Sequence, residues 1–494
     1  MEQNNTALGS LRSVLRGAGF YFAGRISRRL IGALTNVILT RTLGPALYGI
    51  YAYISIVFRF VRIFTELGGD MTIIRYLPEY RDNATKQRMV VTLAYITSLI
   101  ASIIMSVSVY YAAPMISRFT LSDPLFIDVL QIGALIIPFT TLSNITLSVF
   151  RGVERMKYHV GISDVASPIF RLIFIGGAVV LGYSVIGATA GLIVSAILTF
   201  GVGIFVLFRT TDLTRPVYPT TSEARNHYSY SVPLTFNNLG NALYNQVDVL
   251  MVGILLSGSA VGVYRIAILV AGFLLLPLIA LNQLFPAVAS RLYQNGQSDE
   301  LRNVYSTVTR WSFSIALFPT ITVLLYGKEI LRVFGEGFVE GQIVLALIAL
   351  SKFTSSAVGP SGYLLMMSDH QYLTMSNQVG SGVLNIILNY FLIIEFGFIG
   401  AAVATASVLA LINVVRLAET IYLEGLQPYR RTFYKPITAA LPATIVLYAA
   451  SIVLRQYVLL VVGTILGGAV YLFTLYLLGL EQDDTELFKK ISNY

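Results

Sequence analysis

The chain has 494 residues, of which 55% are hydrophobic and only 12% are charged. Soluble proteins of this length carry about 25% charged residues, so the composition indicates a membrane protein. Cysteine is absent, which excludes a disulfide framework and a cysteine-based metal site. The polar start, MEQNNTALGSLRSVLRG, predicts no cleavable signal peptide. The net charge of +9 is compatible with a nucleic-acid-binding protein. The positions of the basic residues along the chain show whether they face nucleic acid or the membrane.

Windows of about 20 mostly apolar residues, the length of a membrane-spanning helix, recur along the whole chain. Each is expected to be helical because an open strand cannot satisfy its backbone groups in lipid. The sequence therefore predicts an all-α polytopic membrane protein with about 14 transmembrane helices. The predicted spans are residues 18–42, 50–74, 89–111, 125–149, 159–181, 185–208, 229–255, 261–285, 304–326, 342–367, 371–396, 398–421, 436–454 and 457–479.

Lysine and arginine residues outside these spans are divided unequally between alternate connections. Clusters such as Arg151, Arg155 and Lys157 lie on the side of the N-terminus, and the opposite connections hold few basic residues. The positive-inside rule places the basic side in the cytoplasm. We therefore expect a multi-pass protein of the cytoplasmic membrane with both termini cytoplasmic. Basic loops that face anionic lipid headgroups account for the net charge without nucleic acid.

Short sequence matches indicate an internal repeat. YGIY at 48–51 corresponds to VGVY at 261–264, and IGA at 186–188 corresponds to IGA at 399–401, with one and the same offset along the chain in both pairs. Six spans are an even number, so the two copies share one orientation and a functional cavity is expected between them. The predicted parts are an N-terminal six-helix lobe, a cytoplasmic linker, a C-terminal six-helix lobe, and helices 13 and 14 with a cytoplasmic tail, at 1–208, 209–227, 228–421 and 422–494.

Several basic residues fall inside the predicted spans, where an arginine at mid-bilayer costs about 3 kcal/mol. Arg25, Arg28 and Arg29 are spaced i, i+3, i+4, so they share one helix face. Arg59 and Arg62 follow in the second span at the same close spacing. Such costly clusters are expected to face a watered cavity that is lined by protein.

Six motifs follow one another along the chain: LTRTLGPALYGIYAY, ELGGDMTIIRYLPEY, VFRGVERMKYHV, NQVDVLMVG, GVYRIA and LNIILNYFLIIEFGFIGAAVATA. In this order they resemble the MATE-like multidrug/oligosaccharidyl-lipid/polysaccharide (MOP) exporter superfamily, in particular its O-antigen-type polysaccharide flippases. The resemblance implies a transporter and not an enzyme. Such a transporter flips a polyprenyl-(pyro)phosphate-linked oligosaccharide for cell-surface polysaccharide or glycoprotein assembly, by alternating access and without a cofactor.

The resemblance also implies a role for the intramembrane cations. In such flippases, cationic side chains of the central cavity hold the phosphate or pyrophosphate that links the polyprenol to its sugars. The chemistry is suitable because arginine presents a planar fork to phosphate oxygens. The candidate substrate-binding residues are Arg25, Arg29, Arg59, Arg62 and Lys352. The alternative is that these cations form structural pairs, such as Arg62 with Glu66, or reach lipid headgroups.

A cation site is predicted from depth. Asp248, Asn389 and Thr405 each lie about 7 to 8 residues from the outer end of a predicted span, roughly 11 Å at about 1.5 Å per residue. Their oxygens would suit a hard cation. The lipid II flippase branch of the superfamily has a sodium site between the same spans, which Asp248, Asn385, Asn389, the Ala401 carbonyl and Thr405 match. Asn389 stands where that branch has a second acid. Proton coupling through Asp248, a structural hydrogen-bond network and drive by membrane potential are the alternatives.

Two other classes of function stay open. A MATE-type multidrug or metabolite exporter would favour an acidic or apolar cavity for cationic drugs. A membrane glycan polymerase or glycosyltransferase needs acids or bases positioned beside a sugar, and the sequence offers no long loop to carry them, no GxxxxGK and no HExxH. The expected partners are therefore the lipid-linked glycan, membrane lipids, and an envelope glycan polymerase or glycosyltransferases.

Overall fold

The structure, a computed structural model, describes residues 2–283, 285–368, 370–479 and 481, with side chains from residue 24 onward except that of residue 371. All secondary structure over these residues is helical, and they contain no strand. The all-α fold is therefore confirmed. The predicted cytoplasmic tail beyond residue 481 lies outside the described residues.

We number the helices in chain order. Those of the first half are α1 (Glu2–Glu66), α2 (Gly69–Glu79), α3 (Ala84–Arg118), α4 (Pro124–Ala134), α5 (Ile136–Gly152), α6 (Met156–Val180), α7 (Val185–Thr210) and α8 (Thr221–Leu255). Those of the second half are α9 (Gly258–Leu281), α10 (Phe285–Gln294), α11 (Ser298–Arg332), α12 (Glu336–Val358), α13 (Ser361–Met367), α14 (Gln371–Glu424), α15 (Arg431–Val453) and α16 (Gln456–Leu477).

Ten of the described helices are long and apolar enough to cross a membrane, or eleven if α4 and α5, bent by 46°, form one span. The protein is thus a multi-pass membrane protein. The number is lower than the fourteen predicted spans partly because α1 and α14 each contain two of them. Helix α1 is broken at Gly44 (φ 70°) and α14 at Gly397 (φ 58°), a backbone conformation that glycine adopts readily. The predicted span within α8 is not among the ten.

The helix interruptions recur with the offset of the two sequence matches. At that offset, Gly44 corresponds to Ser257, which lies between α8 and α9. Ser184, between α6 and α7, corresponds in the same way to Gly397. The breaks in the helices and the matches in the sequence therefore indicate one and the same repeat. The arrangement of its two copies as parallel six-helix lobes stays a prediction.

The chain divides into two compact units, Met1–Gly262 and Val263–Tyr494. In the first unit, an apolar core that includes Ile73, Ile145 and Phe150 joins α2, α3 and α5. In the second unit, α15 and α16 pack against α11. The Tyr326 hydroxyl donates to the Leu447 carbonyl at 2.7 Å, and the Tyr471 hydroxyl donates to the Ser314 carbonyl at 2.8 Å.

Candidate functional site

The first unit contains a polar cavity of about 600 Å³ with walls from α1, α5, α6 and α7. Four arginines line it: Arg28, Arg59 and Arg62 on α1, and Arg171 on α6. No carboxylate is among the described residues of its lining. We call this space the arginine cavity.

Helical periodicity explains why α1 contributes three of the four arginines. The lining positions before the break are 28, 32, 35, 36 and 39, and those after it are 51, 55, 58, 59 and 62. Both sets have the spacing of a single helix face. The break at Gly44 therefore separates two stretches of one helix that present their polar stripes to the same cavity.

Arg28 is held by a buried acid on α6. Its Nη1 lies 3.2 Å from Oδ1 of Asp164, whose side chain is only 3% exposed whereas that of Arg28 is 52% exposed. Gly24, one turn earlier on α1, allows this approach because a Cβ there would overlap the side chain of Val160. Asp164 belongs to a π-helical turn, Gly161–Ala166, and a second π-helical turn follows Arg171 directly. Such turns within α-helices are frequent at functional sites.

Arg62 is paired with an acid on its own helix. Its Nε lies 3.1 Å from Oε1 of Glu66, one turn later, and the Glu66 side chain is 8% exposed. The same Oε1 accepts a hydrogen bond from Nδ2 of Asn144 at 2.8 Å. The ion pair considered as an alternative in the sequence is therefore present, and Arg62 nevertheless lines the arginine cavity with 39% of its side chain exposed.

The charges around the cavity favour an anion. Four guanidinium groups in the lining and the two carboxylates beside them leave an excess of two positive charges when both acids are ionised. Electrostatic attraction is stronger in such a partly desolvated space than in water. Neutral groups of the lining, including Asn36, Ser55 and Thr140, add hydrogen-bonding capacity. The arrangement can bind a polar ligand that carries a phosphate-like group.

Two of the five predicted substrate-binding residues line the arginine cavity, and three lie outside its lining. Arg59 and Arg62 line the arginine cavity. Arg25 and Arg29, both half-buried, flank Arg28 on α1 and are not among its lining residues. Lys352, also half-buried, lies on α12 in the second unit. Arg28 and Arg171, which were not selected from the sequence, do line the cavity. Arg171 had the same signal as the others, a basic residue inside a predicted span.

The residues predicted for a cation site fall in both units. In the second unit, α14 brings three of them together across the break at Gly397. Nδ2 of Asn389 donates to Oδ1 of Asn385 at 2.8 Å, and the Thr405 hydroxyl lies 3.5 Å from the same oxygen. The Ala401 side chain is fully buried. In the first unit, Asp248 is buried on α8, and its Oδ1 accepts a hydrogen bond from the Val249 amide at 2.8 Å.

The side-chain oxygen of Asn389 is a candidate ligand for a hard cation. The Oδ1 atom of Asn389 is buried and has no hydrogen-bond partner among the described residues. An amide oxygen of this kind is a suitable ligand for a hard cation. No group of three or more His, Cys, Asp or Glu residues within the described chain could hold a metal ion. The sodium site stays a prediction.

A polar cavity of about 600 Å³ that is lined by charged side chains among apolar, membrane-length helices is typical of membrane transporters. The family profile described as "Polysaccharide biosynthesis protein" matches residues 14–292, and the MatE profile matches residues 233–391. The chain belongs to the polysaccharide biosynthesis protein family, within the MOP exporter superfamily. The family resemblance predicted from the motifs is thereby confirmed.

Two curated relatives come from Haloferax volcanii. The probable low-salt glycan biosynthesis flippase Agl15 is 30% identical over 278 residues, which are 55% of this chain and 57% of that protein. The probable flippase AglR is 24% identical over 404 residues, 80% of this chain and 81% of the relative. The match thus spans just over half the length of the first relative and most of the second.

Solved structures with the same fold are also transport proteins. The lipid II flippase MurJ in its inward closed conformation has a TM-score of 0.73 at 16% identity, covering 92% of this chain and 97% of that chain. An inward-facing multidrug resistance MATE transporter has a TM-score of 0.65 at 13% identity, covering 83% and 98%. These similarities show a MurJ- and MATE-like fold.

Proposed function

We propose that the chain flips an oligosaccharide, linked through phosphate or pyrophosphate to a polyprenol, across the cytoplasmic membrane. The flipped glycan would serve the assembly of a cell-surface polysaccharide or glycoprotein. The observation that carries this proposal is the arginine cavity, where Arg28, Arg59, Arg62 and Arg171 line one space. The similarity to Agl15, a probable low-salt glycan biosynthesis flippase, and to the lipid II flippase MurJ supports the same class of substrate.

The chemistry of the substrate accounts for the choice of arginine. The linkage phosphate is the one strongly anionic part of such a lipid, and arginine binds phosphate oxygens through two parallel hydrogen bonds. Lysine would supply the charge without the planar fork. The sugars need hydrogen bonds, which the neutral lining groups supply, and the polyprenol tail can stay in the bilayer. The flipping itself would proceed by alternating access.

Residues near the cavity have graded roles in this proposal. Arg59 and Arg62 would bind the linkage phosphate together with Arg28 and Arg171, which line the same cavity. The remaining predicted residues, Arg25, Arg29 and Lys352, would contact the substrate before or after it occupies the cavity.

We further propose that the chain crosses the membrane about 14 times in two parallel repeats of six spans, followed by α15 and α16. Helices α1 and α14 would each cross twice, with turns at Gly44 and Gly397. Helix α8, 35 residues long, would be a further span. The recurrence of helix interruptions at the offset of the sequence matches supports the repeat, and the excess of basic residues on one side supports cytoplasmic termini.

The proposal includes the coupling ion and the protein partners of the flippase. Sodium or proton coupling through Asp248 and the Asn385, Asn389, Ala401 and Thr405 group would drive transport, which the unpartnered oxygen of Asn389 supports. An envelope glycan polymerase or glycosyltransferases would supply or use the glycan.

The alternative function, export of cationic drugs or metabolites, is disfavoured by the excess positive charge of the arginine cavity.

Flipping in reconstituted vesicles tests the proposal. Vesicles carrying the purified protein should expose a fluorescent polyprenyl-pyrophosphate oligosaccharide to an outside quencher faster than protein-free vesicles do. Arg59→Ala/Arg62→Ala should remove the difference. The control, Arg118→Ala, removes an exposed arginine at the end of α3, outside the cavity lining, and should flip normally. Transport of a cationic dye without flipping of the lipid would favour the exporter.

A further inference from the structure

The second unit contains a separate polar pocket of about 330 Å³. Its walls come from the ends of α9, α12 and α13 and from two stretches of α14. All of these ends lie on the side predicted to be cytoplasmic, where a flippase would take up its substrate. The polar side chains that matter for its chemistry are Asn282, Asn413 and Arg416, and Gly362 forms part of the wall. We call it the Arg416 pocket.

Arg416 is the only charged residue among the described residues that line this pocket. Its guanidinium group makes no ion pair or hydrogen bond with a described residue, and its Nε atom is buried. Glu419, one turn later on α14, is engaged elsewhere because both of its carboxylate oxygens accept from Nδ2 of Asn377, at 2.9 and 2.7 Å. A half-buried guanidinium group whose Nε is shielded from water and has no partner among the described residues favours the binding of an anion.

The wall is shaped so that the guanidinium group faces the space. Gly362 lies opposite it, and a Cβ at that position would stand 3.8 Å from Cζ, Nε and Nη1 of Arg416. Any larger side chain at Gly362 would therefore extend over the face of the guanidinium group. Glycine leaves this face accessible to a ligand in the pocket.

The other polar groups suit a ligand rich in hydroxyls. Oδ1 of Asn282 is buried and has no hydrogen-bond partner among the described residues. Asn413 is 6% exposed, and its Nδ2 donates to the hydroxyls of Thr354 and Ser355 at 2.8 and 2.9 Å. This network fixes the Asn413 side chain at the edge of the pocket. Neutral donors and acceptors around a single guanidinium group can bind a sugar ring through its hydroxyls and an acid through its charge.

The volume of the Arg416 pocket and its single positive charge limit the classes of ligand that it can bind. A volume of about 330 Å³ is at the lower end of small-molecule sites, which span about 300–1,000 Å³, so the pocket can hold a sugar unit and not a lipid-linked glycan. A single cation balances a carboxylate, whereas a pyrophosphate carries more charge than one arginine neutralises. The four-arginine cavity of the first unit is better suited to the pyrophosphate.

We propose that the Arg416 pocket binds a carboxylate-bearing sugar of the transported glycan. The carboxylate pairs with the guanidinium group of Arg416, and the ring hydroxyls bond to Asn282 and to neighbouring hydroxyls. This inference rests on the proposed flippase function, since it makes the pocket a site that selects acidic glycans. A neutral glycan leaves the half-buried guanidinium group of Arg416 without a counter-charge and is bound less well.

Binding of free monosaccharides to the protein in nanodiscs tests this inference. Saturation-transfer NMR measures the sugars, and inorganic phosphate is measured by its displacement of bound glucuronate. D-glucuronate should bind at least tenfold more tightly than D-glucose or inorganic phosphate. Arg416→Gln should remove glucuronate binding, Arg416→Lys should keep part of it, and Asn282→Ala should weaken it severalfold. The control Arg455→Gln, at an exposed arginine between α15 and α16, should bind as wild type does.

Each opposing result overturns the inference. Wild-type protein that does not bind glucuronate, or folded Arg416→Gln protein that binds it normally, excludes the site. Phosphate that binds as tightly as glucuronate would show a general anion site of the kind that holds lipid headgroups. Arg59→Ala/Arg62→Ala protein should still bind glucuronate, so failure of the flippase proposal is distinguishable from failure of this one.

Discussion

Gly49 and Gly262, which correspond to each other in the sequence repeat, lie directly against each other. A Cβ at Gly49 would be 2.9 Å from the Gly262 amide nitrogen, and a Cβ at Gly262 would be 3.2 Å from the Gly49 amide nitrogen. The neighbouring contacts are reciprocal too. Gly49 faces the Gly258 carbonyl and Gly262 faces the Pro45 carbonyl, and Pro45 and Gly258 also correspond at the offset of the repeat. Reciprocal contacts of this kind arise around a twofold axis, which supports the proposed repeat.

The contact predicts that Gly49→Ala destabilises the protein. An added methyl group would overlap the Gly258 backbone, and relief by backbone displacement costs about 1–3 kcal/mol of unfolding free energy. Thermal unfolding of the purified protein in detergent measures the loss. Gly201→Ala on α7 is the matched control because no heavy atom outside the backbone of its own helix lies within 4 Å of its Cβ position. Equal stability of the two variants would contradict the close approach of Gly49 to the Gly258 backbone.

The Arg62–Glu66 pair predicts that Glu66→Gln strengthens anion binding. Glutamine keeps an oxygen for Asn144 but removes the negative charge beside Arg62, so the excess positive charge around the cavity rises by one. Polyprenyl pyrophosphate should bind severalfold more tightly, with a steeper dependence on salt. Glu336→Gln removes the acid of another i,i+4 pair, with Arg332, outside the cavity. It should leave affinity unchanged, and weaker binding in Glu66→Gln would contradict the proposed role of Arg62.

Alternating access predicts one-sided exposure of the arginine cavity. Because the chain has no cysteine, Ser55→Cys introduces a single thiol in the cavity lining. An impermeant maleimide should label it from only one side of the membrane at a time, and the labelled side should change when substrate is added. Labelling from both sides at once would indicate a channel.

The predicted cation site is tested by exchanging charge at two positions. Asp248→Asn should abolish any dependence of flipping on a sodium gradient because it removes the site's acid. Asn389→Asp adds a carboxylate at the residue whose Oδ1 has no partner among the described residues, and it should shift half-maximal activation to lower sodium. Flipping that is indifferent to sodium in the wild type would rule out sodium coupling.

The sequence predicted the helical membrane fold well because length and apolarity decide it. The breaks at Gly44 and Gly397 fall where the sequence separates one predicted span from the next, at 42–50 and 396–398. Intramembrane charge singled out Arg59 and Arg62, which line the arginine cavity, and their role in substrate binding stays a prediction. It could not rank Arg28 above Arg25 and Arg29, because the sequence does not show which of these neighbouring positions on one helix face borders the cavity.

The pairing partners were also beyond the sequence. Asp164 reaches Arg28 through the close approach of α6 at Gly24, a tertiary contact without a local signal. Arg416 was near a predicted span end, where a long side chain can reach the headgroups. Its enclosure beside Gly362 follows from the packing of α13 on α14, which hydrophobic periodicity does not specify.

The most direct test of the account is whether the arginine cavity binds the linkage phosphate. The measurement is the affinity of purified protein for a polyprenyl-pyrophosphate glycan and for the same glycan on an uncharged polyprenyl ether. We predict that wild type prefers the pyrophosphate by at least tenfold, that Arg59→Ala/Arg62→Ala loses this preference, and that Arg118→Ala keeps it. Equal affinity of the wild type for both lipids, or an undiminished preference in the double variant, would contradict the account.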